Sequence, residues 1–189
     1  MIEASPWLVR WAHLIAPGSS VLDVAAGSGR HARWLAERGR RVTAVDRDAA
    51  AMAPLADRVE VVVADLESGA WPLAGRSFDA VVVTNYLWRP LFGALATALA
   101  PGGVLLYETF AAGNESVGRP ARRDYLLGRG ELLAAFPGLR IVAFEDGFLT
   151  SPERFVQRLV AVREPGSPSP VRYSLTAPDR SGESADPPR

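Results

Sequence analysis

The chain of 189 residues contains no cysteine. Disulfide bonds, thiolate nucleophiles, iron–sulfur clusters and cysteine-ligated zinc are therefore excluded. The chain also lacks lysine, because every one of its basic residues is an arginine. Without lysine there is neither the Schiff base of a pyridoxal-phosphate enzyme nor a P-loop lysine. These two absences remove several common classes of enzyme chemistry.

An excess of charge of either sign is also missing, since 21 basic residues balance 21 acidic ones. The chain thus has no global basic field to attract nucleic acid, which argues against an RNA or DNA substrate. The N-terminal stretch MIEASPWLVRWAHLI lacks the charge and apolar run of a signal peptide. No apolar run reaches the ~18 residues of a membrane span. We predict a cytoplasmic protein that does not enter a membrane, and nothing in the sequence specifies an oligomeric state.

Short apolar runs alternate with amphipathic segments through most of the chain. A helix is predicted over residues 5–15, with Ser5 as its N-cap and Pro6 in its first turn. Strands are predicted at SVLDVAA, RVTAVD, VEVVVAD, FDAVVVTN and VLLYETF, and helices at GRHARWLAERG, RDAAAMAPLA and PLFGALATALAPGG. Apolar strands separated by helices are typical of a doubly wound parallel sheet with helices on both faces. Such a sheet binds its ligand outside the carboxyl ends of the strands.

The second half of the chain is less regular. A polar loop, AAGNESVGRPARRDYLLG, precedes a short helix at RGELLAAF and two more strands at LRIVAFEDGF and RFVQRLVAVRE. We predict one domain over residues 1–164. Residues 165–189 are rich in proline and are predicted to form a flexible tail, in which the VRYSL run is able to attach to the surface.

The stretch LDVAAGSGRHA carries the first chemical signal. Gly27 and Gly29 let the backbone approach a ligand closely. Such a turn suits NAD, whose pyrophosphate lies at a helix N-terminus, as well as S-adenosylmethionine. Asp23, four residues before Gly27, would repel a pyrophosphate, yet it can pair with the ammonium group of S-adenosylmethionine. Asp23 therefore favours the methyl donor.

Two further carboxylates follow the next two strands. Asp46 can accept hydrogen bonds from ribose hydroxyls of either cofactor, or it can cap the following helix, and Arg47 beside it can pack on the adenine. Asp65 can accept a hydrogen bond from the adenine amino group while Leu66 lines the ring. Acidic residues at the ends of three successive strands favour a methyltransferase over a dehydrogenase.

These motifs, in this order, resemble those of the class I S-adenosylmethionine-dependent methyltransferases over roughly residues 20–110. The stretch DVAAGSG is similar to that family's D/E-x-x-x-G-x-G loop, and Asn85 stands where the residue after strand four commonly lines the methyl-transfer site. The resemblance implies a three-layer, Rossmann-like α/β fold with a mostly parallel sheet of about seven strands, the last antiparallel. It also implies S-adenosylmethionine as cofactor and S-adenosylhomocysteine as product.

The predicted cofactor-binding residues are Asp23, Ala25, Gly27, Gly29, Asp46, Arg47, Asp65, Leu66 and Asn85. Within the family, GSGRHA in a compact chain is similar to small bacterial proteins of the tellurite-resistance type, which are associated with small, soft acceptors.

Candidate acceptor residues lie near the ends of strands four and five and in the basic loop. The predicted set is Tyr86, Trp88, Arg89, Tyr107 and Arg122. The two aromatic residues after Asn85 would either form a wall for the acceptor or pack against the next helix. Arg122 and its arginine neighbours would either be solvated or form a lid that recognises an anion.

Methyl transfer by in-line displacement needs no metal, and we predict none. The enzyme aligns the acceptor with the methyl group and excludes water. The candidate bases are His31, which would face either the site or solvent, and Tyr86. Because neither is an unmistakable base, we predict a small-molecule acceptor that is soft or already ionised.

Three alternatives stay open at this stage. They are an NAD-dependent oxidoreductase, a non-catalytic protein that binds S-adenosylmethionine, and an RNA methyltransferase, which the neutral charge disfavours. The N-P-P-Y signature of methyltransferases that act on amino groups of bases or glutamine is missing, because Leu87 and Trp88 stand where it would continue.

Overall fold

The computed structural model describes residues 3–166 and 171–177. Its strands are β1 (Ser20–Val24), β2 (Arg41–Asp46), β3 (Glu60–Val63), β4 (Phe78–Thr84), β5 (Leu99–Phe110), β6 (Arg140–Thr150) and β7 (Glu153–Val162). Its α-helices are α1 (Pro6–Trp11), α2 (Arg30–Ala36), α3 (Ala49–Met52), α4 (Phe92–Thr97) and α5 (Glu131–Ala134).

The strands form one sheet in the order β3-β2-β1-β4-β5-β7-β6. Neighbours from β3 to β5 pair in parallel, whereas β7 runs antiparallel to both β5 and β6. The predicted α/β fold, a mostly parallel Rossmann-like sheet with its last strand antiparallel, is therefore confirmed. The strand order reverses between β1 and β4, and a doubly wound sheet binds its ligands at such a switch point.

An apolar core covers each face of the sheet. On one face the strands pack against α1, α2 and α3, through Trp7, Leu8, Trp11, Leu35 and Met52. On the other face they pack against α4, α5 and the segment after α5, through Leu95, Leu132 and Phe136. Successive strand residues serve opposite cores, as the period of two requires: Leu105 belongs to the second core and Leu106 to the first.

The N-terminal helix begins where the sequence predicts. The Ser5 hydroxyl accepts a hydrogen bond from the Trp7 N–H at 3.1 Å, and Pro6 opens the helix. The α-helix ends at Trp11 and continues as a 3₁₀ turn over Ala12–Leu14, so it is shorter than predicted. The Trp7 and Trp11 rings meet edge to face with centroids 5.7 Å apart.

Two predicted boundaries differ from the structure. The first strand ends at Val24, because Ala25 adopts a left-handed conformation that strand pairing cannot accommodate. The Pro-Gly-Gly segment expected as a turn before the fifth strand lies inside β5, where the register against β4 shifts.

The tail predicted from residue 165 falls partly outside the described residues, since 167–170 and 178–189 are not among them. Residues 171–177 approach the domain: a ring nitrogen of His13 lies 2.9 Å from the Ser174 carbonyl oxygen, and the Arg140 guanidinium lies 5.3 Å from the centre of the Tyr173 ring.

Across the described ranges, no helix has the length and apolar character that crossing a membrane requires.

Candidate cofactor and acceptor site

Two non-glycine residues with positive φ mark the switch point. Ala25 follows β1 with a φ of 53°, and Asn85 follows β4 with a φ of 56°. This conformation costs a residue with a Cβ about 1–3 kcal/mol, less for asparagine, and such strain clusters at functional sites. The strained backbone therefore lies where the topology predicts a ligand.

The turn after β1 depends on its two glycines, which do different things. Gly29 has a φ of 72° and precedes α2, and a Cβ there would overlap the fully buried side chain of Leu55. Gly27 has a φ of 55°, and a Cβ there would meet nothing within 4 Å. Gly29 thus permits close packing of the helix, whereas Gly27 keeps open the space in front of the turn.

Asp46 connects this turn to the end of β2. Its Oδ2 accepts a hydrogen bond from the Gly27 N–H at 2.8 Å, and its Oδ1 accepts one from the Asp48 N–H at 2.9 Å. The cap of α3 is Asp48, which accepts from the Ala51 N–H, so Asp46 is not the cap. Each Asp46 oxygen keeps a second lone pair for a ligand hydroxyl.

Asp65 lies in a local turn after β3. Its carboxylate accepts hydrogen bonds from the Glu67 N–H at 2.9 Å and the Ser68 hydroxyl at 2.8 Å. These bonds, and to a smaller extent the charge of Arg47, hold the pKa of Asp65 below its usual value. Leu66 beside it is buried. Asp65 is therefore ionised at neutral pH and next to an apolar side chain.

These residues surround one cleft of about 380 Å³ at the switch point. Of the predicted cofactor residues it brings together Ala25, Gly27, Asp46, Arg47, Asp65, Leu66 and Asn85. Its walls also include Tyr86 and three residues absent from the predicted cofactor set, Asp48, Ala64 and Glu67. Those three are direct neighbours of the predicted acids, so extending each strand-end motif by one or two residues would have found them.

Asp23 and Gly29 lie behind the cleft wall rather than in it. Asp23 is 1% exposed, and its Oδ2 has no hydrogen-bond partner within the described part of the chain. Burial raises the pKa of Asp23 to about 7, against the opposing effects of the Ala32 N–H and the Arg30 charge. An unsatisfied buried acceptor costs about 1–3 kcal/mol, and more if it is charged. A cationic ligand group would remove that cost.

His31 is buried in the first turn of α2, so the predicted alternative in which it faces solvent is wrong. Its Nδ1 lies 3.3 Å from the Thr84 hydroxyl, and its Nε2 has no partner among the residues described. Burial, assisted by the Arg30 charge, lowers the pKa of His31 to about 3. The imidazole is therefore neutral in the folded protein.

The two candidate tyrosines differ in position. Tyr86 lines the cleft and is half-buried, and burial raises the pKa of its phenol, as do the nearby Glu67 and Asp65. Tyr107 is 1% exposed, and its hydroxyl donates to the Tyr86 carbonyl at 3.0 Å. The prediction that Tyr107 contacts the acceptor is corrected: its ring packs in the core because its position in β5 faces α4 and α5.

The Arg89 guanidinium is already occupied by protein groups. It binds both carboxylate oxygens of Glu131, at 2.6 and 2.9 Å, and the carbonyls of Asp124 and Leu126 at 2.9 Å. Arg89 therefore fastens the loop after β5 to the segment after β4, which a prediction based on local sequence could not show.

The other two acceptor candidates also have partners in the protein. Arg122 is exposed, with its guanidinium 2.8 Å from Asp124, as in the solvated-loop interpretation. Trp88 is partly buried against the core beside α4, as in the packing interpretation.

A buried charge cluster on the other face of the sheet is absent from the predicted set. Glu108 on β5 is 1% exposed and pairs with Arg158 Nε at 2.6 Å and, at 3.5 Å, with Arg154 Nη2. The Ser5 hydroxyl donates to Glu108 Oε1 at 3.0 Å. The sequence signal was available, since the two arginines are four residues apart in the predicted strand and therefore lie on one of its faces.

Comparisons with known proteins agree on one family. Residues 21–103 match the family described as Methyltransferase domain. The protein-L-isoaspartate O-methyltransferase of Methylorubrum populi is 36% identical over 114 residues, which cover 57% of this chain and 52% of that protein. The malonyl-[acyl-carrier protein] O-methyltransferase of Serratia marcescens is 36% identical over 105 residues, covering 52% and 41%. The chain thus spans about half the length of the curated relatives it matches.

A solved structure shows the same fold. TehB from Haemophilus influenzae superposes with a TM-score of 0.68 and 18% identity, over 81% of this chain and 60% of that one. The domain match over residues 21–103 and the two curated relatives support a class I S-adenosylmethionine-dependent methyltransferase, and the likeness to TehB shows the shared fold.

Proposed function

We propose that this protein transfers a methyl group from S-adenosylmethionine to a small acceptor that is soft or already ionised. The observation that carries the acceptor class is the state of the two candidate bases. Burial lowers the pKa of His31 to about 3 and raises that of Tyr86, so neither side chain readily takes a proton near neutral pH. An acceptor that arrives with its lone pair free needs no such base.

The cleft residues fit the cofactor. Asp46 has free lone pairs for two ribose hydroxyls, and Asp65 with Leu66 offers a carboxylate and an apolar contact for the adenine. The buried Oδ2 of Asp23, for which the described residues supply no hydrogen-bond partner, suits the ammonium group. When bound, S-adenosylmethionine supplies a methyl group whose carbon–sulfur bond breaks, leaving the electron pair on sulfur, as the acceptor's lone pair attacks in line.

The relatives support the direction of this proposal. Both curated relatives are named as O-methyltransferases, one for isoaspartate and one for a malonyl group, so an ionised oxygen is one form the acceptor can take. The likeness to TehB concerns the fold, and the tellurite-resistance-type subgroup stays a prediction.

The first experiment measures which cofactor binds. We expect S-adenosylhomocysteine to raise the melting temperature and to bind in calorimetry, whereas NADH does neither. Asp46→Ala should weaken this binding at least tenfold. Asp79→Ala, which removes a carboxylate that accepts hydrogen bonds from Ser20 outside the cleft, is the matched control and should leave the affinity unchanged. Stabilisation by NADH alone would favour the NAD-dependent oxidoreductase that the Gly27–Gly29 turn and Asp46 leave open.

The second experiment follows the methyl group. Radiolabelled S-adenosylmethionine is incubated with the protein and with cell extract divided into small-molecule, RNA and protein pools. We expect label in the small-molecule pool. Tight S-adenosylhomocysteine binding with no label in any pool would instead favour a non-catalytic S-adenosylmethionine-binding protein.

A further inference from the structure

We propose that Arg154 binds the negative charge of the acceptor, and that the acceptor is a small carboxylate or comparable oxyanion. This inference rests on the proposed methyl transfer, and it adds a residue and a substrate class to it. Arg154 lies near the start of β7, on the hairpin formed with β6. It belongs neither to the predicted cofactor residues nor to the cleft walls.

Arg154 contacts Asn85, which is a residue of the cleft wall. Its Nη1 lies 3.4 Å from Oδ1 of Asn85, the strained residue that lines the cleft after β4. The resemblance to the family places the methyl-transfer site at Asn85. The guanidinium thus lies one side chain away from the position expected for the reacting methyl group.

The N–H groups of the Arg154 guanidinium form few and long hydrogen bonds with the protein. Its Nε is buried and has no hydrogen-bond partner within residues 3–166 and 171–177. Its two polar contacts, 3.4 Å to Asn85 and 3.5 Å to Glu108, are longer than the ~2.7–2.9 Å of a strong charge-assisted hydrogen bond. The side chain is only 15% exposed, so water cannot fully replace the missing partners.

The charge of Arg154 is also compensated only weakly, through a 3.5 Å contact with Glu108. Glu108 already has a close cation in Arg158, at 2.6 Å, and a hydrogen bond from Ser5. The buried group of Glu108, Arg154 and Arg158 therefore carries one surplus positive charge. The further carboxylate on Arg158 is that of Glu145, which is exposed and also pairs with Arg10. A largely buried charge whose carboxylate partner is distant and shared is costly, and an anionic ligand would offset that cost.

The arginines first predicted to bind the acceptor, Arg89 and Arg122, have close carboxylate partners, whereas within the described residues Arg154 does not. Arg89 is bound by both oxygens of Glu131, and Arg122 is bound by Asp124 in solvent. The planar guanidinium fork matches a carboxylate or other oxyanion, which it can bind through two parallel hydrogen bonds. An anion held here would also arrive ionised, as the absence of a competent base in His31 and Tyr86 requires.

The test uses the full chain and radiolabelled S-adenosylmethionine. Before the reaction, the small molecules of a cell extract are separated on an anion exchanger at pH 7.5 into retained and unretained pools. We expect the label to enter the retained pool. Arg154→Gln should lower this transfer about ten- to a hundredfold, as expected for the loss of a charged hydrogen-bonding pair. Arg154→Lys keeps the positive charge but loses the planar guanidinium group. Its rate of methyl transfer should lie between those of the wild type and Arg154→Gln.

The controls separate recognition from folding. S-adenosylhomocysteine affinity should stay within twofold of wild type in both variants, which shows that they are folded. Arg58→Gln removes an exposed arginine whose 3.6 Å contact with Glu37 lies outside the cleft, and it should transfer methyl like wild type. Transfer into the retained pool that is unaffected by Arg154→Gln overturns the role of Arg154 alone. Label confined to the unretained pool overturns the anionic acceptor class as well, and label confined to macromolecules overturns the small acceptor of the proposed function. No transfer into any pool by the wild type overturns the proposed function itself.

Discussion

The backbone N–H of Gly27 donates to Oδ2 of Asp46 across 2.8 Å, so the turn after β1 and the carboxylate at the end of β2 are joined directly. The second oxygen of Asp46 is held by the Asp48 N–H. The carboxylate is therefore oriented by two backbone groups that belong to the fold. A side chain held in this way loses little conformational freedom when a ligand binds.

The two glycines of this turn should respond differently to alanine. Gly29→Ala combines a positive φ with an overlap on buried Leu55, so we expect a loss of about 2–4 kcal/mol in the free energy of unfolding. Gly27→Ala also places a Cβ on a residue with positive φ, but this Cβ overlaps no neighbouring atom. It should therefore lower the free energy of unfolding by only about 1–2 kcal/mol.

Binding should show a second difference between these variants, because the Cβ at position 27 would face the cleft. We expect Gly27→Ala to weaken S-adenosylhomocysteine binding by more than its small stability loss would suggest. Urea denaturation and calorimetry on both variants measure the two effects. Equal destabilisation by the two substitutions would contradict the packing assigned to Gly29.

The buried carboxyl of Asp23 should make stability depend on pH. Folding raises its pKa from 3.8 to about 7, so the fold favours the protonated form. Its stabilising contribution is therefore complete below about pH 4 and is lost as the pH rises through about 7. Asp23→Asn, which cannot ionise, should melt several degrees higher than wild type at pH 8, since ~1 kcal/mol shifts the melting temperature by about 2–4 °C in a chain of this size. The difference should shrink as the pH falls and be small only below about pH 4.

The same variant should bind the cofactor poorly despite its stability, with S-adenosylhomocysteine affinity reduced about tenfold or more. Asp79→Asn is a matched control, because Asp79 accepts hydrogen bonds from the Ser20 N–H and hydroxyl, both at 2.8 Å, and does not line the cleft. We expect it to lower stability at neutral pH and to leave cofactor affinity unchanged. A melting-temperature difference for Asp23→Asn that does not vary with pH would contradict the raised pKa.

Cofactor binding should also release a proton from Asp23. Below about pH 7 the carboxyl is largely protonated, and it must ionise to pair with the ligand's ammonium group. Calorimetry of S-adenosylhomocysteine binding at pH 6, repeated in buffers with different ionisation enthalpies, should show release of a large fraction of one proton. At pH 8.5 this release should vanish, and Asp23→Asn should lack it at both pH values. Proton uptake at pH 6 would be incompatible with the assigned pairing.

The sequence predicts the parallel half of the fold well, together with the grouping of most candidate cofactor residues around one cleft, for a local reason. Each strand there is a short apolar run, and each candidate binding residue follows its own strand within a few positions, as Ala25, Asp46 and Asp65 do. Because the carboxyl ends of parallel strands lie at one edge of the sheet, correct strands bring these residues together without further information.

The acceptor side depends on tertiary contacts that local sequence does not encode. Tyr107 and Glu108 are neighbours on β5, yet they face opposite cores, so only the sheet assigns one to the apolar packing and the other to the charge cluster. Likewise, Arg89 finds its carboxylate on Glu131, 42 positions later in the chain. Arg154 reaches Asn85 across 69 positions. The second of these contacts follows from the antiparallel β7, whose position beside β5 is set by the completed sheet.

The hydroxyl of Ser5 forms one hydrogen bond with the first helix and another with the sheet. It accepts from the Trp7 N–H as the cap of α1 and donates to Glu108 in the buried cluster. Lifting α1 and its cap away from the sheet would break the bond to Glu108, expose Trp7 and Trp11, and leave the Glu108 carboxylate short of a donor. We therefore expect the first helix to stay closed on the sheet, and an acceptor bound by Arg154 to enter from the side of the β6–β7 hairpin.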